Sequence, residues 1–226
     1  MTKVKESKTI KLRGMRRTIA KRMFESISSS AQLTLHSTME IPELAAFKKE
    51  HHLSYTDLFL KAVALTLKNH PNLNASLVDN VIHLWPTINI GLAISLDNGL
   101  VVPAIFDADE KTFTELAKAR RDVTTRSELG ELTPEEVNSG TFTISNLGLY
   151  PIDGFTPILN PPQVGLLGVG RIQGLPRFVN GELKEVPVIH LSLTIDHRVV
   201  DGAPGAAFLQ DLEDLFRHPD RMLKES

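Results

Sequence analysis

The 226-residue chain has no cysteine. That absence excludes disulfides, a cysteine nucleophile and thiolate metal sites, and it is compatible with a reducing compartment. No apolar run approaches the roughly 18 residues of a membrane span. The polar N-terminus has no apolar stretch of the kind a signal peptide needs. A net charge of −2 supplies no global basic field for nucleic acid. The glycine-rich run Gly165-Leu166-Leu167-Gly168-Val169-Gly170-Arg171 lacks the Gly-Lys-Ser/Thr of a phosphate loop, and Gly168, Gly170 and Gly174 miss the Gly-x-Gly-x-x-Gly spacing by one residue. It reads as a strand whose glycines permit close backbone packing. No Gly-x-Ser-x-Gly elbow surrounds Ser145. His197 and Asp201 make two metal ligands at most, with no second cluster nearby, so no metal is expected. Internal repeats and low-complexity tracts are also missing.

What is present is an ordinary globular balance, 42% hydrophobic and 23% charged. Residues 1–9 are polar and lysine-rich and read as a flexible arm or linker remnant; residues 10–226 read as a single domain. Met15, Ile19, Met23 and Ile27 recur every fourth residue, which predicts a helix ended by Ser28-Ser29-Ser30. Its basic residues Arg13, Arg16, Arg17, Lys21 and Arg22 alternate with apolar ones, the pattern of a solvated face, though part of it can serve an anionic substrate. Leu33, Leu35 and Met39 alternate with polar residues as in a half-buried strand. Pro42 opens a short helix to about Glu50, and Ser54 with Asp57 resembles a capping box for the helix that stops before Pro71.

Ile88 to Leu96 alternates without a break, Asp97-Asn98-Gly99 turns the chain, and Leu100 to Ile105 returns as the second strand of a hairpin. Helices are predicted from Thr112 to about Glu128, at Thr133-Pro134-Glu135-Glu136, and from Ala203 to Arg217. Strands are predicted at Thr141–Ser145, Gln163–Ile172 and Val186–Ile195, the last two joined through a turn at Asn180-Gly181. This mixture gives an α/β fold with a mixed sheet.

Two places carry candidate chemistry. Ile189, Leu191, Leu193 and Ile195 are apolar and alternate with polar residues, so a continued pleat turns His197 inward at the strand's end. Asp196, Arg198 and Asp201 surround it with charge. This favours a chemical role over a buried structural histidine. Ser145 ends the strand Thr141-Phe142-Thr143-Ile144-Ser145 just before Asn146-Leu147-Gly148. Its hydroxyl either stabilises an oxyanion or merely caps the turn, as Ser and Asn commonly do.

Four segments together resemble one family, the catalytic domain of the dihydrolipoamide acyltransferases, core components of 2-oxo acid dehydrogenase complexes. They are Gly14-Met15-Arg16-Arg17-Thr18-Ile19-Ala20-Lys21-Arg22-Met23; Asn89-Ile90-Gly91-Leu92-Ala93 with Asn98-Gly99-Leu100-Val101-Val102-Pro103; Thr141 to Gly148 with Phe155-Thr156-Pro157-Ile158-Leu159-Asn160-Pro161-Pro162; and Asp196 to Gly202, which fits His-x-x-x-Asp-Gly. The last is shared with chloramphenicol acetyltransferases; all four in this order are specific, and they span roughly residues 8–222.

The resemblance implies a two-layer, chloramphenicol acetyltransferase-like fold, a mixed β-sheet flanked by helices, forming trimers that build a larger core with active sites between subunits. It implies acyl transfer from S-acyl-dihydrolipoamide to coenzyme A. His197 would be the thiol-activating base and Ser145 the oxyanion donor. Asp201 would hold the loop through an ion pair with Arg16, or with Arg17. Coenzyme A would be a substrate, with no cofactor tightly bound in this domain. The lipoyl group would sit on a domain absent from this chain, which also lacks a recognisable peripheral-subunit-binding domain and so reads as the catalytic portion of a longer protein. Expected partners are the lipoyl domain and the 2-oxo acid dehydrogenase and dihydrolipoamide dehydrogenase components, in the cytoplasm or the mitochondrial matrix. Two rivals remain: a small-molecule coenzyme A acetyltransferase of the same fold, and a non-catalytic scaffold of the complex.

Overall fold

The computed structural model describes residues 7–97 and 99–224. Residues 1–6 of the expected arm and Asn98 of the expected turn lie outside the described residues. Helix α1 (Gly14–Ser29) is followed by strand β1 (Gln32–Glu40) and helix α2 (Pro42–Glu50). Pro42 and Glu43 sit in the first turn of α2, and Lys48 and Lys49 in its last. That order suits both the helix dipole and the missing proline N–H. Helix α3 (Tyr55–Lys68) starts where the Ser54 hydroxyl accepts the Asp57 backbone N–H at 3.1 Å. Strands β2 (Ala75–Val78) and β3 (Val81–Leu84) form a tight hairpin that the sequence reading did not anticipate. Its turn residues Asp79 and Asn80 both have positive φ, the signature of the two-residue turns that suit twisted strands.

The expected hairpin after Ile88 forms with a single register but not as two unbroken strands. It divides into β4 (Ile90–Leu92), β5 (Ile94–Leu96), β6 (Gly99–Val101) and β7 (Ala104–Ile105). Ile90 faces Ile105 and Ile94 faces Val101. Between them the Ala93 N–H turns to the Ile144 carbonyl, 2.9 Å away, and Pro103 has no N–H to offer. β4 and β7 therefore stay in the main sheet while β5 and β6 form a separate two-stranded arm.

Helix α4 (Phe113–Leu129) has a complete capping box between Thr112 and Glu115 and ends at Gly130, φ +72°, in the left-handed conformation that favours glycine. Helix α5 (Pro134–Asn138) leads to β8 (Phe142–Asn146). Strands β9 (Gly165–Val179) and β10 (Glu182–Asp196) are far longer than the expected 163–172 and 186–195 and run out to the Asn180-Gly181 turn. Their outer halves lie past the end of β1, whose Glu40 faces Val188. Few of those outer residues are buried, so they lack the alternation that marks a half-buried strand. Helices α6 (Gly202–Arg217) and α7 (Arg221–Lys224) complete the chain.

The six-stranded sheet runs β1-β10-β9-β8-β4-β7. β8 is parallel to β4 and β9; the other pairs are antiparallel. Mixed pairing on one sheet with helices against it is the expected α/β arrangement. Leu193 and Ile195 of β10, with Leu33 and Leu35 of β1, face α6. Gly205 lets α6 approach, because a Cβ there would sit 2.9 Å from Leu35. α3 is buried along almost its whole length, and even Lys61 is fully enclosed, its Nζ donating to the Asp109 and Lys111 carbonyls. Phe142, Phe208 and Phe216 are fully buried; burial stabilises by about 1.5–3 kcal/mol for each such side chain. No helix among the described residues is long and apolar enough to cross a membrane.

The opposite face of β1 and β10 is polar. Thr34 bonds Thr194, His36 Nδ1 bonds Ser192, and Thr38 bonds His190 Nδ1, at 2.8–2.9 Å. Residues 147–162 cross this side of the sheet over β9. Their close approach explains two glycines of the run: a Cβ on Gly170 would lie 1.8 Å from the Asp153 carbonyl oxygen, and one on Gly168 would meet the Phe155 ring at 3.0 Å, while one on Gly165 would meet the Phe142 ring at 2.6 Å.

Candidate active site

β8 ends by sending successive side chains to opposite faces of the sheet. Ser145 lines an apolar cavity of about 300 Å³ together with Met23, Ala93, Leu100, Val102 and Phe155. Asn146 lines a larger cavity of about 660 Å³ on the helical side, with Lys48, Tyr55, Arg120, Thr124 and Gly170. Ala93 borders both. The turn after β8 is capped by Asn146, whose Oδ1 accepts the Gly148 N–H at 2.8 Å. Capping therefore does not occupy Ser145, and among the described residues its hydroxyl has no hydrogen-bond partner. Helix α1 forms one wall. Its Met15 and Ile19 lie where a Cβ on Gly99 would be, at 2.7–2.8 Å, Met23 reaches the serine cavity, and Ser26 Oγ donates to the Leu159 carbonyl at 2.7 Å.

His197 departs from the expected inward orientation. Strand pairing ends with Gln32 opposite Asp196. The His197 N–H bonds the Ala31 carbonyl, and the N–H groups of Val199 and Val200 turn back to the Asp196 carbonyl. The pleat stops one residue too early, and the imidazole is 46% exposed. Asp196 is the buried member of the loop. Its carboxylate accepts from the Arg198 guanidinium and N–H, and from the Ala31 N–H. Burial pushes this carboxyl up, but those donors outweigh it and hold it below its ordinary 3.8. The Asp196–Arg198 pair thus shapes the turn that presents His197. Asp201 stands at the start of α6 without capping it, and its Oδ1 is 3.5 Å from His197 Nδ1. The imidazole Nε2 has no partner among the described residues.

The structure does not bring His197 and Ser145 together within one chain. Ser145 lies opposite Gly168 and Gly168 opposite Ser192, five residues before His197. At about 3.3 Å per residue and about 4.8 Å per strand spacing, the two are roughly 19 Å apart. Arg16 and Arg17 are exposed on α1, and neither is ion-paired with Asp201 among the described residues. The cations beside a cavity are instead Lys48 and Arg120, which the sequence reading passed over. Ser54 with Asp57 drew attention only as a helix cap, although Asp57 also binds Arg120.

A sequence model of the 2-oxoacid dehydrogenases acyltransferase catalytic domain matches residues 4–224. The chain belongs to this family. It is 36% identical to the acetyltransferase component of the acetoin cleaving system of Bacillus subtilis. It is 37% identical to the succinyltransferase component of the 2-oxoglutarate dehydrogenase complex of Azotobacter vinelandii. Each match covers 96% of this chain and 57% of the relative, so the chain spans little more than half the length of these relatives. The cubic core of a pyruvate dehydrogenase multienzyme complex superposes with TM-score 0.90 at 29% identity, over 96% of this chain and 94% of that one. A chloramphenicol acetyltransferase, 18% identical at TM-score 0.58 over 86% of this chain and 94% of that one, shares the fold. Azotobacter vinelandii dihydrolipoamide acetyltransferase superposes with TM-score 0.91 at 28% identity, over 96% of this chain and 94% of that one; its structure was used to probe a serine, a histidine and an asparagine in the catalytic mechanism. In that enzyme the histidine follows the serine by 52 positions and the asparagine follows the histidine by four. Ser145, His197 and Asp201 repeat both spacings, with an aspartate in the third place.

Proposed function

We propose that the chain transfers an acyl group from S-acyl-dihydrolipoamide to coenzyme A, as the catalytic core of a 2-oxo acid dehydrogenase complex. The observation that carries this reading is the Ser145 hydroxyl, without a hydrogen-bond partner among the described residues, at the wall of an apolar cavity and 52 residues before His197. An acyl transferase needs a donor of this kind where the carbonyl oxygen becomes negative.

In this reading the two cavities receive the two thiol substrates from opposite faces of the sheet. The acyl-dihydrolipoamide enters the apolar side beside Ser145. Coenzyme A enters the larger cavity, whose Lys48 and Arg120 suit its phosphates. A thiol of pKa about 8.5 is a few per cent thiolate at neutral pH. His197 of a neighbouring subunit takes the proton from the coenzyme A thiol. The sulfur attacks the thioester carbon, and Ser145 Oγ–H stabilises the oxyanion. Collapse expels the dihydrolipoamide thiolate, which regains the proton from the imidazolium. General-base help is worth about 10²–10⁴-fold and an oxyanion donor about 10²–10³-fold.

In this reading neighbouring copies complete each site, which the roughly 19 Å between Ser145 and His197 in one chain supports. A ring with heterologous contacts meets that need, and a trimer within a larger core is the assembly proposed. The lipoyl domain, the 2-oxo acid dehydrogenase and the dihydrolipoamide dehydrogenase are the proposed partners, in the cytoplasm or the mitochondrial matrix.

A coenzyme A transfer assay with acetyl-, succinyl- and branched-chain acyl-dihydrolipoamide tests this reading. At least one donor should support turnover that falls about a hundredfold in His197→Ala. Transfer of acetyl from acetyl-coenzyme A to chloramphenicol, without transfer to dihydrolipoamide, would replace it with the small-molecule rival. No transfer to any acceptor by an intact assembly would leave a scaffold.

A further inference from the structure

The larger cavity contains a charge pair that acid–base chemistry at Ser145 and His197 does not use. Asp57 of α3 is buried, its side chain 4% exposed, and Arg120 of α4 reaches it with Nε to Oδ1 at 2.6 Å and Nη2 to Oδ2 at 3.3 Å. The Ser54 hydroxyl donates to the same carboxylate at 2.5 Å. A guanidinium gripped through two of its five N–H groups has its plane fixed, and three donors remain. Arg120 and Ser54 both line the cavity, as does Lys48, whose Nζ stands 5.1 Å over the Tyr55 ring. Of the two cations on the cavity wall, only Arg120 pairs with the buried Asp57 carboxylate, which leaves that wall with positive charge and oriented donors to spare. Fixed forks of this kind suit phosphate oxygens, which accept several bonds at once.

We infer that Arg120, held in place by Asp57, binds a phosphate group of the acceptor thiol substrate and thereby selects coenzyme A over unphosphorylated thiols. Asp57 is a positioning residue that acts through Arg120. This inference rests on the reading that coenzyme A occupies the larger cavity. The alternative is a plain staple between α3 and α4.

Coenzyme A and pantetheine, which has the same thiol arm but no phosphate, separate the two. Arg120→Gln alone leaves Asp57 buried without its partner, so the deciding variant is Arg120→Gln with Asp57→Asn. Its ratio of kcat/KM for coenzyme A over pantetheine should fall about 10- to 100-fold, the loss of charge-assisted hydrogen bonds. The drop should appear in KM for coenzyme A, and Arg120→Lys, which keeps the charge but not the fork, should be intermediate. A ratio within twofold of the parent overturns the inference, whether both acceptors fall together or neither does. Ile172→Trp, which narrows the same cavity, tests the underlying reading. If it leaves KM for coenzyme A unchanged, coenzyme A does not bind there; if it raises KM while the double variant keeps its ratio, only the role of Arg120 fails.

Discussion

Ser145 on β8 and His197, just past the end of β10, stand two strands and five residues apart, measured from the row that links Ser145 to Gly168 and Gly168 to Ser192. If these two residues form the proposed site, a chain folded this way carries half of each site at two separate places. Two inactive variants should therefore rescue each other. Ser145→Ala and His197→Ala, each at least a hundredfold slower alone, should regain about a quarter of the parent turnover when refolded together at equal amounts. In a ring, one interface in about four then joins an intact serine to an intact histidine. Steady-state assay of the mixed assembly measures this, and no gain over the separate variants would place both residues in one subunit's site.

Asp201 lies 3.5 Å from His197 Nδ1, too far for a strong bond and near enough to steady the ring. Asp201→Ala should slow turnover by up to about a hundredfold through loss of orientation. Asp201→Asn should stay within about tenfold, since the corresponding relative has asparagine at this spacing. If Arg16 of a neighbour pairs with Asp201, Arg16→Ala and Asp201→Ala will cost less together than their summed separate effects. Strict additivity would separate the two residues.

Local chemistry made most elements legible. Ser54 with Asp57 and Thr133 before Pro134 are read directly as caps, because the partners of each cap lie within three residues, whereas the Thr112–Glu115 box emerged only with the fold. The register of the Ile88–Ile105 hairpin was equally local. Its interruption at Ala93 was not, because the competing acceptor is the Ile144 carbonyl, 51 residues away. The β2–β3 hairpin escaped notice although Asp79-Asn80 is a turn pair; its strands are four residues each and largely exposed, so periodicity was weak. For the proposed site, residue types and spacing single out Ser145, His197 and Asp201. Orientation was hidden, since whether His197 faces inward depends on where pairing with β1 stops. The Asp57–Arg120 pair was hidden for the same reason. It joins residues 63 positions apart that only helix packing brings together.

The glycines of β9 are a place where sequence and structure agree on a physical cause, and this makes Gly170 a sharp test. A Cβ there would overlap the Asp153 carbonyl oxygen at 1.8 Å, a contact with backbone that no rotamer relieves. Gly170→Ala should displace residues 147–162 and destabilise by about 1–3 kcal/mol, as overpacking does. Because Gly170 also borders the larger cavity, KM for coenzyme A should rise more than KM for the acyl donor. Denaturant unfolding and steady-state kinetics check the two effects separately. An unchanged midpoint would mean that the loop yields at no cost.

The acid side of stability should be governed partly by Glu136, which sits beside α4 rather than at the site. The Arg126 guanidinium binds both its oxygens, and the Thr133 N–H and hydroxyl add two more bonds. Burial opposes these donors but does not match them, and the carboxyl is held at about 2 against an ordinary 4.5. A carboxyl depressed on folding binds fewer protons in the folded chain than in the unfolded one, so stability rises with pH across the interval between the two values. The contribution is complete above about pH 4.5 and fades as pH falls toward 2. Glu136→Gln should therefore destabilise the parent at neutral pH, by about 1.5–3 kcal/mol for lost bonds to a charged group. The difference should shrink steadily below pH 4.5, as the parent's own carboxylate takes up its proton. Thermal unfolding of both proteins between pH 3 and 7 measures it. A difference independent of pH would assign the effect to packing around Thr133 and not to the Arg126–Glu136 pair.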